Sequence, residues 1–206
     1  MPKIAAIIPA YDEEKTIGNV LKAISDLNLI DEVIVVSDGS HDKTATIARS
    51  YNVNVIELDH NHGKTSAVVT GIQNTDADII LMLDADLIGL THKHVIDLLV
   101  PVIDNKVDMT IGIFNFGRGA TDLAQKIAPF LSGQRAVRKS ILEKLEDYKI
   151  TSYGIEMALT IMAEKEKLKT QFVYLPNLTH VMKEEKRGLL LDYFCDLDHR
   201  IPCTVE

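Results

Sequence analysis

The chain has 206 residues, 46% of them hydrophobic, which is enough for one well-packed domain and too little for two comfortable ones. Its formal net charge of −8 counts against a sequence-independent nucleic-acid binder, which needs a basic face to meet phosphates. An anionic substrate would instead need a metal ion or local basic groups.

Cys195 and Cys203 match neither a zinc spacing nor a disulfide framework, and read as free thiols in a reducing cytoplasm. No segment reaches the roughly 18 consecutive apolar residues that a bilayer span requires. The first apolar run, residues 4–10, is closed by Pro9 and then by Asp12-Glu13-Glu14, unlike a signal peptide. The expected location is cytoplasmic, with any membrane contact peripheral and at the inner face.

Ile4-Ala5-Ala6-Ile7-Ile8 predicts a first buried strand. Pro9-Ala10-Tyr11-Asp12-Glu13-Glu14 leaves it before a helix over about residues 15–27, whose Ile17, Val20, Leu21 and Ile24 follow helical spacing. The acidic trio has two readings: satisfying the helix amides and dipole, or holding a ribose hydroxyl at the carboxyl end of the strand. Glu32-Val33-Ile34-Val35-Val36 predicts a second buried strand, ending in Ser37-Asp38-Gly39-Ser40-His41-Asp42 and a helix through about Ser50. Turn and cap chemistry accounts for most of that loop, while Asp38 also stands where a base would be read. A third strand over residues 53–58 gives way to Asp59-His60-Asn61-His62-Gly63-Lys64-Thr65 and a helix carrying Val68, Val69 and Ile72. Gly63-Lys64-Thr65 resembles the end of a P-loop, but position 58 is Leu rather than the upstream glycine, so an ATP-binding P-loop is excluded. Lys64 remains a nucleotide-contact candidate beside the crevice.

Ile79-Ile80-Leu81-Met82-Leu83 then runs straight into Asp84-Ala85-Asp86. A short apolar run closed by polar residues predicts a strand buried on both faces, and ligands of open parallel sheets bind beyond the carboxyl ends of such strands. Residues i and i+2 of a strand share a side, so Asp84 and Asp86 can face one crevice while Ala85 leaves it uncrowded. Two hard oxygen ligands there suit Mg2+ or Mn2+ carrying a diphosphate. The spacing alone is weak: Asp-x-Asp occurs three times. Only Asp84 and Asp86 follow a buried strand; Asp76 and Asp78 precede it, and Asp196 and Asp198 lie in a polar tail. Four strands alternating with three helices predict right-handed crossovers and a largely parallel sheet covered on both faces.

Residues 87–90 lead to a helix around residues 92–99 with Pro101 near its end, and residues 108–113 suggest a fifth strand. Glycine-rich residues 114–122 suit an acceptor loop. Residues 131–138 read as a short strand or loop before a helix to about Leu145, and Tyr153-Gly154-Ile155-Glu156 opens an apolar helix in which Glu156 can serve the helix dipole. Strand-like residues 171–175 and 178–181 follow, placing His180 in an apolar setting where a structural role competes with metal ligation. The tail, residues 183–206, has three readings: packing on the domain, an interface between copies in a homodimer, or an interfacial membrane helix.

Taken together, Ile7-Ile8-Pro9-Ala10-Tyr11-Asp12-Glu13-Glu14, Ser37-Asp38-Gly39-Ser40-His41-Asp42-Lys43-Thr44, Gly63-Lys64 and Leu83-Asp84-Ala85-Asp86 resemble the nucleotide-sugar half of the GT-A-fold, family 2-like glycosyltransferases, which include the dolichyl-phosphate mannose synthases. Asp84-Ala85-Asp86-Leu87-Ile88, Leu131-Ser132-Gly133, Tyr153-Gly154-Ile155-Glu156 and Thr179-His180 look most like the retaining glucosyl-3-phosphoglycerate synthases, a likeness covering about residues 4–182. The resemblance implies an α/β GT-A (Rossmann-like) fold with a mixed, mostly parallel central sheet. It also implies one transferase domain over residues 1–182, with a nucleotide-sugar half (1–90) and an acceptor half (91–182).

By that resemblance, Pro9, Ala10, Tyr11 and Glu13 cradle uridine and ribose, Asp38 or Ser37 meets the uracil, Lys64 contacts the nucleotide, and Asp84 and Ala85 line the ribose side. Asp86 and His180 would ligate Mg2+ or Mn2+. Arg118 and Thr121 would hold an acidic acceptor near Gly133 and Gln134, and Glu156 would lie by the sugar. Gln134 stands where those synthases carry Glu, and the acceptor loop is shorter, which counts against phosphoglycerate as acceptor. The activity implied is metal-assisted hexosyl transfer from a nucleoside diphosphate sugar, UDP-glucose favoured, to an unidentified acceptor. Residues 131–135 contain no strong acid to act as an inverting base, which points to retention, with Asp122 or Glu156 left as base candidates. The rivals are an inverting polyprenyl-phosphate glycosyltransferase, a nucleotidyltransferase, which would want a glycine-rich, arginine-bearing first loop, and a non-catalytic nucleotide-sugar binding module.

Overall fold

The structure, a computed structural model, describes residues 1–113, 132–148 and 154–180. In chain order the strands are β1 (Ile4–Ala10), β2 (Glu32–Asp38), β3 (Asn54–Leu58), β4 (Ile79–Met82), β5 (Leu87–Ile88), β6 (Met109–Ile113), β7 (Arg135–Arg138), β8 (Thr170–Tyr174) and β9 (Thr179–His180). The helices are α1 (Ile17–Lys22), α2 (Thr44–Arg49), α3 (Lys64–Gln73), α4 (His92–Ile103), α5 (Lys139–Leu142) and α6 (Gly154–Lys165), with a 3-10 helix over Glu143–Tyr148 between the last two.

Among the described residues, seven strands form one sheet in the order β3-β2-β1-β4-β7-β6-β8. β1 lies parallel between β2 and β4, and β2 parallel to β3, as the repeated strand–helix alternation predicts. β7 runs antiparallel between β4 and β6, and β8 closes the far edge parallel to β6, so the sheet is mixed. All seven residues of β1 are buried because both faces are covered. Their alternation divides the core. Ile4, Ala6 and Ile8 pack with Ile17, Val20 and Leu21 of α1 and Val95, Leu98 and Val102 of α4. Ala5 and Ile7 face Val68 of α3 and, across the other layer, Ile155, Leu159 and Met162 of α6. α3 sits close on the sheet at Gly71, where a Cβ would come within 2.5 Å of Ile7 Cγ2.

Several elements differ from the sequence expectation. The helix expected over residues 15–27 is α1 alone; beyond it Ile24 and Leu27 donate to Leu21 and Ile24, three residues back, in tight turns. Ser25, Asp26 and Asn28 favour such turns over continued helix. Residues 87–88, expected to lead directly into a helix, form β5, which pairs antiparallel with β9. The helix expected to reach Leu145 ends at Leu142 and tightens into 3-10 geometry. Pro101 lies inside the last turn of α4, where its missing N–H removes a single ladder bond. Arg118, Thr121, Asp122, both cysteines and the tail lie outside the described residues. Among those described, no helix is long and apolar enough to cross a membrane.

Candidate active site

Three parallel strands, β1, β2 and β4, end on the same edge, and their exits surround a cavity of about 190 Å³. It is lined by Pro9, Ala10, Tyr11 and Glu13 from β1 and its exit, and by Asp38 at the end of β2. Asn61, Lys64 and Ala67 come from the start of α3 and the loop before it, and Asp84, Ala85 and Asp86 from the exit of β4. This is the crevice that the position of the Asp84 and Asp86 pair predicts.

The acidic residues around it divide by partner. Asp12, in the left-handed region at φ 52°, accepts the His41 amide at 2.7 Å, and Glu14 accepts the Lys43 amide at 3.1 Å. Both therefore brace the β2–α2 loop against the β1 exit. Glu13 is the member of the trio that lines the cavity, its Oε2 accepting the Thr16 hydroxyl at 3.0 Å. Asp42 returns the brace, accepting the Glu14 amide at 3.0 Å and the Thr44 amide at 2.9 Å. Burial works against its charge, but hydrogen bonds from the Thr44 side chain and nearby amides outweigh it and hold its carboxyl below the usual value.

Asp38 is 3% exposed, and each of its oxygens accepts a backbone amide of the β3–α3 loop, from His62 and from Gly63, both at 2.8 Å. The sequence leaves this aspartate two readings, turn chemistry within its own loop or contact with a base; it lines the cavity, and its bonds tie one crossover to the next. Gly39 makes that approach possible. Its φ is +69°, and a Cβ there would lie 2.4 Å from the His60 carbonyl carbon. Ser37 is buried and donates to Ser40 Oγ at 3.0 Å, and it is not among the residues that line the cavity.

On the opposite wall, Lys64 Nζ stands 2.5 Å from Asp84 Oδ1 and 2.5 Å from Glu156 Oε1, in the first turn of α6. Desolvation beside these walls lowers the ammonium's affinity for its proton, but the two carboxylates outweigh it and hold the group well above the usual lysine value. Lys64 is a cation at pH 7. Gly133 explains why the triangle closes: a side chain there would lie 2.6 Å from Lys64 Nζ and 2.8 Å from both Asp84 oxygens. Gln134, expected at the acceptor, is 1% exposed and donates from Nε2 to Asp84 Oδ2 at 2.9 Å, while its Oε1 accepts from Ser132. It fixes Asp84 rather than facing the cavity.

Behind Gln134, Arg135 is fully buried, donating from Nε to the Ser132 carbonyl at 2.9 Å and from a terminal nitrogen to Thr160 Oγ1 at 3.1 Å. Burial pushes its pKa down to about 10, opposed by the Glu156 charge. Asp86 is 5% exposed, and β5–β9 pairing sets His180 opposite Leu87, the next residue. Sequence reading missed Asn61, Ala67 and Arg135. The spacing of Ala67 three residues after Lys64 on a helix was the available signal for one of them.

A doubly covered, mixed sheet with a carboxylate-lined crevice at the carboxyl ends of β1, β2 and β4 is the GT-A arrangement of nucleotide-sugar transferases. The chain belongs to glycosyl transferase family 2, whose model matches residues 5–163. The solved structures it resembles include glucosyl-3-phosphoglycerate synthase from Mycobacterium tuberculosis in complex with Mn2+, UDP and glucosyl-3-phosphoglycerate. That likeness has a TM-score of 0.80 and 25% identity, covering 98% of this chain and 82% of that one. The same enzyme with Mn2+, UDP-glucose and phosphoglyceric acid matches at a TM-score of 0.80 and 26% identity, with the same coverage. Among curated proteins, the 4,4'-diaponeurosporenoate glycosyltransferase of Staphylococcus haemolyticus is 34% identical over 103 residues, 47% of this chain. The match spans only 27% of that relative's length.

Proposed function

We propose that this chain transfers a hexose from a nucleoside diphosphate sugar, with UDP-glucose the favoured donor, to an acceptor still to be identified, with retention at the anomeric carbon. The observation that carries the reading is the convergence of Tyr11, Glu13, Asp38, Lys64, Asp84 and Asp86 on one cavity, in a chain whose structural neighbours bind UDP-glucose with Mn2+.

In this reading Tyr11, at the cavity rim and 37% exposed, offers its ring to the base, and Glu13 accepts from the ribose. Lys64, at the amino end of the ten-residue α3, meets the diphosphate together with the helix's first amides. The donor set fits a divalent ion. Asp86 presents a buried carboxylate and His180 an imidazole one pairing step away, a mixed O/N pair that suits Mn2+ at least as well as Mg2+. Asp84 is held by Lys64 and Gln134, and Asp86 is the carboxylate that the β5–β9 pairing brings next to His180. When bound, the ion supplies positive charge to the departing diphosphate. The chain's own part is to hold donor and acceptor in line and to keep Lys64 protonated beside the leaving group.

Retention is supported by how the nearby carboxylates are spent. Glu156 is ion-paired to Lys64 and Asp38 accepts two backbone amides, so both carboxylates are engaged in holding the walls of the cleft. The neighbours carry phosphoglycerate and the curated relatives are named for 4,4'-diaponeurosporenoate. Acceptor screens should therefore include both acidic and lipid acceptors.

The test is isothermal titration of UDP-glucose, GDP-mannose and their free diphosphates, with and without Mn2+, on wild type and Asp86→Ala. Metal-dependent binding of one nucleotide that is lost in the variant supports the site. No binding of any nucleotide with metal present would overturn the reading.

A further inference from the structure

The β3–α3 loop carries a cluster that the transferase reading does not use. Asp59, His60 and His62 each offer a ligand atom, and these atoms lie within 4.8 Å of one another. The geometry is centred on one oxygen: Asp59 Oδ1 stands 2.9 Å from His60 Nδ1 and 3.1 Å from His62 Nε2. The two imidazoles lie side by side with ring centroids 3.8 Å apart and planes tilted by 36°. Tetrahedral zinc with bonds near 2.0–2.1 Å places its ligand atoms about 3.3 Å apart, so the three donors need only small side-chain rotations to take up an ion.

The backbone under them is fixed. The amides of His62 and Gly63 are held by the buried Asp38, and Asn61 Oδ1 accepts from the Gly63 amide at 3.0 Å. Gly39 lies flush against His60 and Asn61. Three ligands from four consecutive positions would ordinarily be costly to order; here the ordering is already made by the fold. All three side chains are open to solvent, at 81%, 66% and 38% exposed for Asp59, His60 and His62. An ion can therefore reach them, with water filling the fourth position.

We propose that Asp59, His60 and His62 form a binding site for a borderline transition metal of the zinc class, separate from the cavity's divalent site. Two imidazoles and one carboxylate favour Zn2+, Co2+, Ni2+ or Cu2+ over Mg2+, whose preference is for oxygen. A bound ion clamps the loop that sends Asn61 into the cavity and anchors Asp38, so it stiffens one wall of the donor cleft.

The probe is Zn2+ itself, titrated into the full-length Asp86→Ala protein with Mg2+ in excess, and into the same protein carrying His60→Gln and His62→Gln. The parent should bind one equivalent of Zn2+. Losing an outer-shell partner alone costs about 10- to 100-fold in metal affinity, so removing either ligand should weaken binding by at least about tenfold. Co2+ should give the intense visible absorption of a tetrahedral site in the parent and lose it in the double variant. Asp59→Asn serves as an independent variant, and far-UV circular dichroism checks that each protein is folded. Equal zinc stoichiometry and affinity with and without the histidines, no zinc bound by the parent, or a Co2+ spectrum without tetrahedral bands each overturn the site. None of these results depends on the transferase reading, because Asp86, the cavity carboxylate assigned to the metal, is already removed.

Discussion

Lys64 is the residue on which the cleft's electrostatics turn, since its ammonium bridges Asp84 from the β4 exit and Glu156 from α6. Lys64→Met removes the cation that bridges Asp84 and Glu156. By the measure of other preorganised donors aimed at developing charge, turnover of the proposed donor, UDP-glucose, should fall about 10²- to 10³-fold. Steady-state kinetics would show this mainly in kcat if Lys64 acts on the leaving group, and a change confined to KM would remove it from that role. Asp42 makes a different, pH-dependent contribution. Its folded-state pKa is lowered, so its stabilisation is present above the unfolded value and is lost as pH falls through the folded one. Asp42→Asn should cost about 1–2 kcal/mol at pH 7, in the range of hydrogen bonds to a charged group in a partly exposed site. The difference from wild type should shrink toward the acid end, which chemical denaturation at stepped pH values can follow.

At the scale of elements, the site is a set of loops bracing one another, and Gly39 is where two of them touch. Gly39→Ala places a Cβ 2.4 Å from the His60 carbonyl carbon and 2.5 Å from the Asn61 nitrogen, on a backbone at φ +69°. The neighbours are backbone atoms with nowhere to move, so the cost should reach about 1–3 kcal/mol. The Asp38 bonds to His62 and Gly63 should loosen as well, so nucleotide affinity should fall along with the melting temperature. If stability drops while UDP binding with Mn2+ stays unchanged, the loop contact is structural alone.

How far these elements were legible in advance follows from their physics. β1, β2 and β4 are continuous apolar runs with turn residues after them, and both their existence and their parallel pairing came from pattern. β5 and β9 are two residues each, too short to carry a period, and β7 is a strand only because β4 and β6 offer it edges on both sides. The cavity carboxylates were legible from their position after β4. The bonds from Asp38 to the β3–α3 loop, from Gln134 to Asp84 and from Lys64 to Glu156 were not, because each joins segments whose proximity exists only after crossovers fold. The buried Arg135 escaped for the same reason: nothing local in Gln134-Arg135-Ala136 signals burial of a guanidinium.

For the whole molecule, the balance of charge argues that donor and metal bind together. The protein is already acidic, at −8, and the cavity's described lining brings four carboxylates, Glu13, Asp38, Asp84 and Asp86, against one ammonium, Lys64. A nucleoside diphosphate entering that field alone meets like charge, while a divalent ion alone meets a pocket whose Asp84 is already paired. Each ligand therefore supplies what the other lacks, and binding should be strongly cooperative. Thermal unfolding reads this directly. UDP alone and Mn2+ alone should each raise the melting temperature little. Both together, at about 100 times the dissociation constant, should add about 2.7 kcal/mol of stability. For a domain of this size that corresponds to a shift of about 5–10 °C. Chelation with EDTA should return the curve to that of UDP alone, and Asp86→Ala should lose the cooperative increment while keeping its own unfolding transition. Equal shifts from UDP with and without metal would mean that Lys64 and the α3 amides suffice for the diphosphate, and the proposed role of Asp86 and His180 would fall.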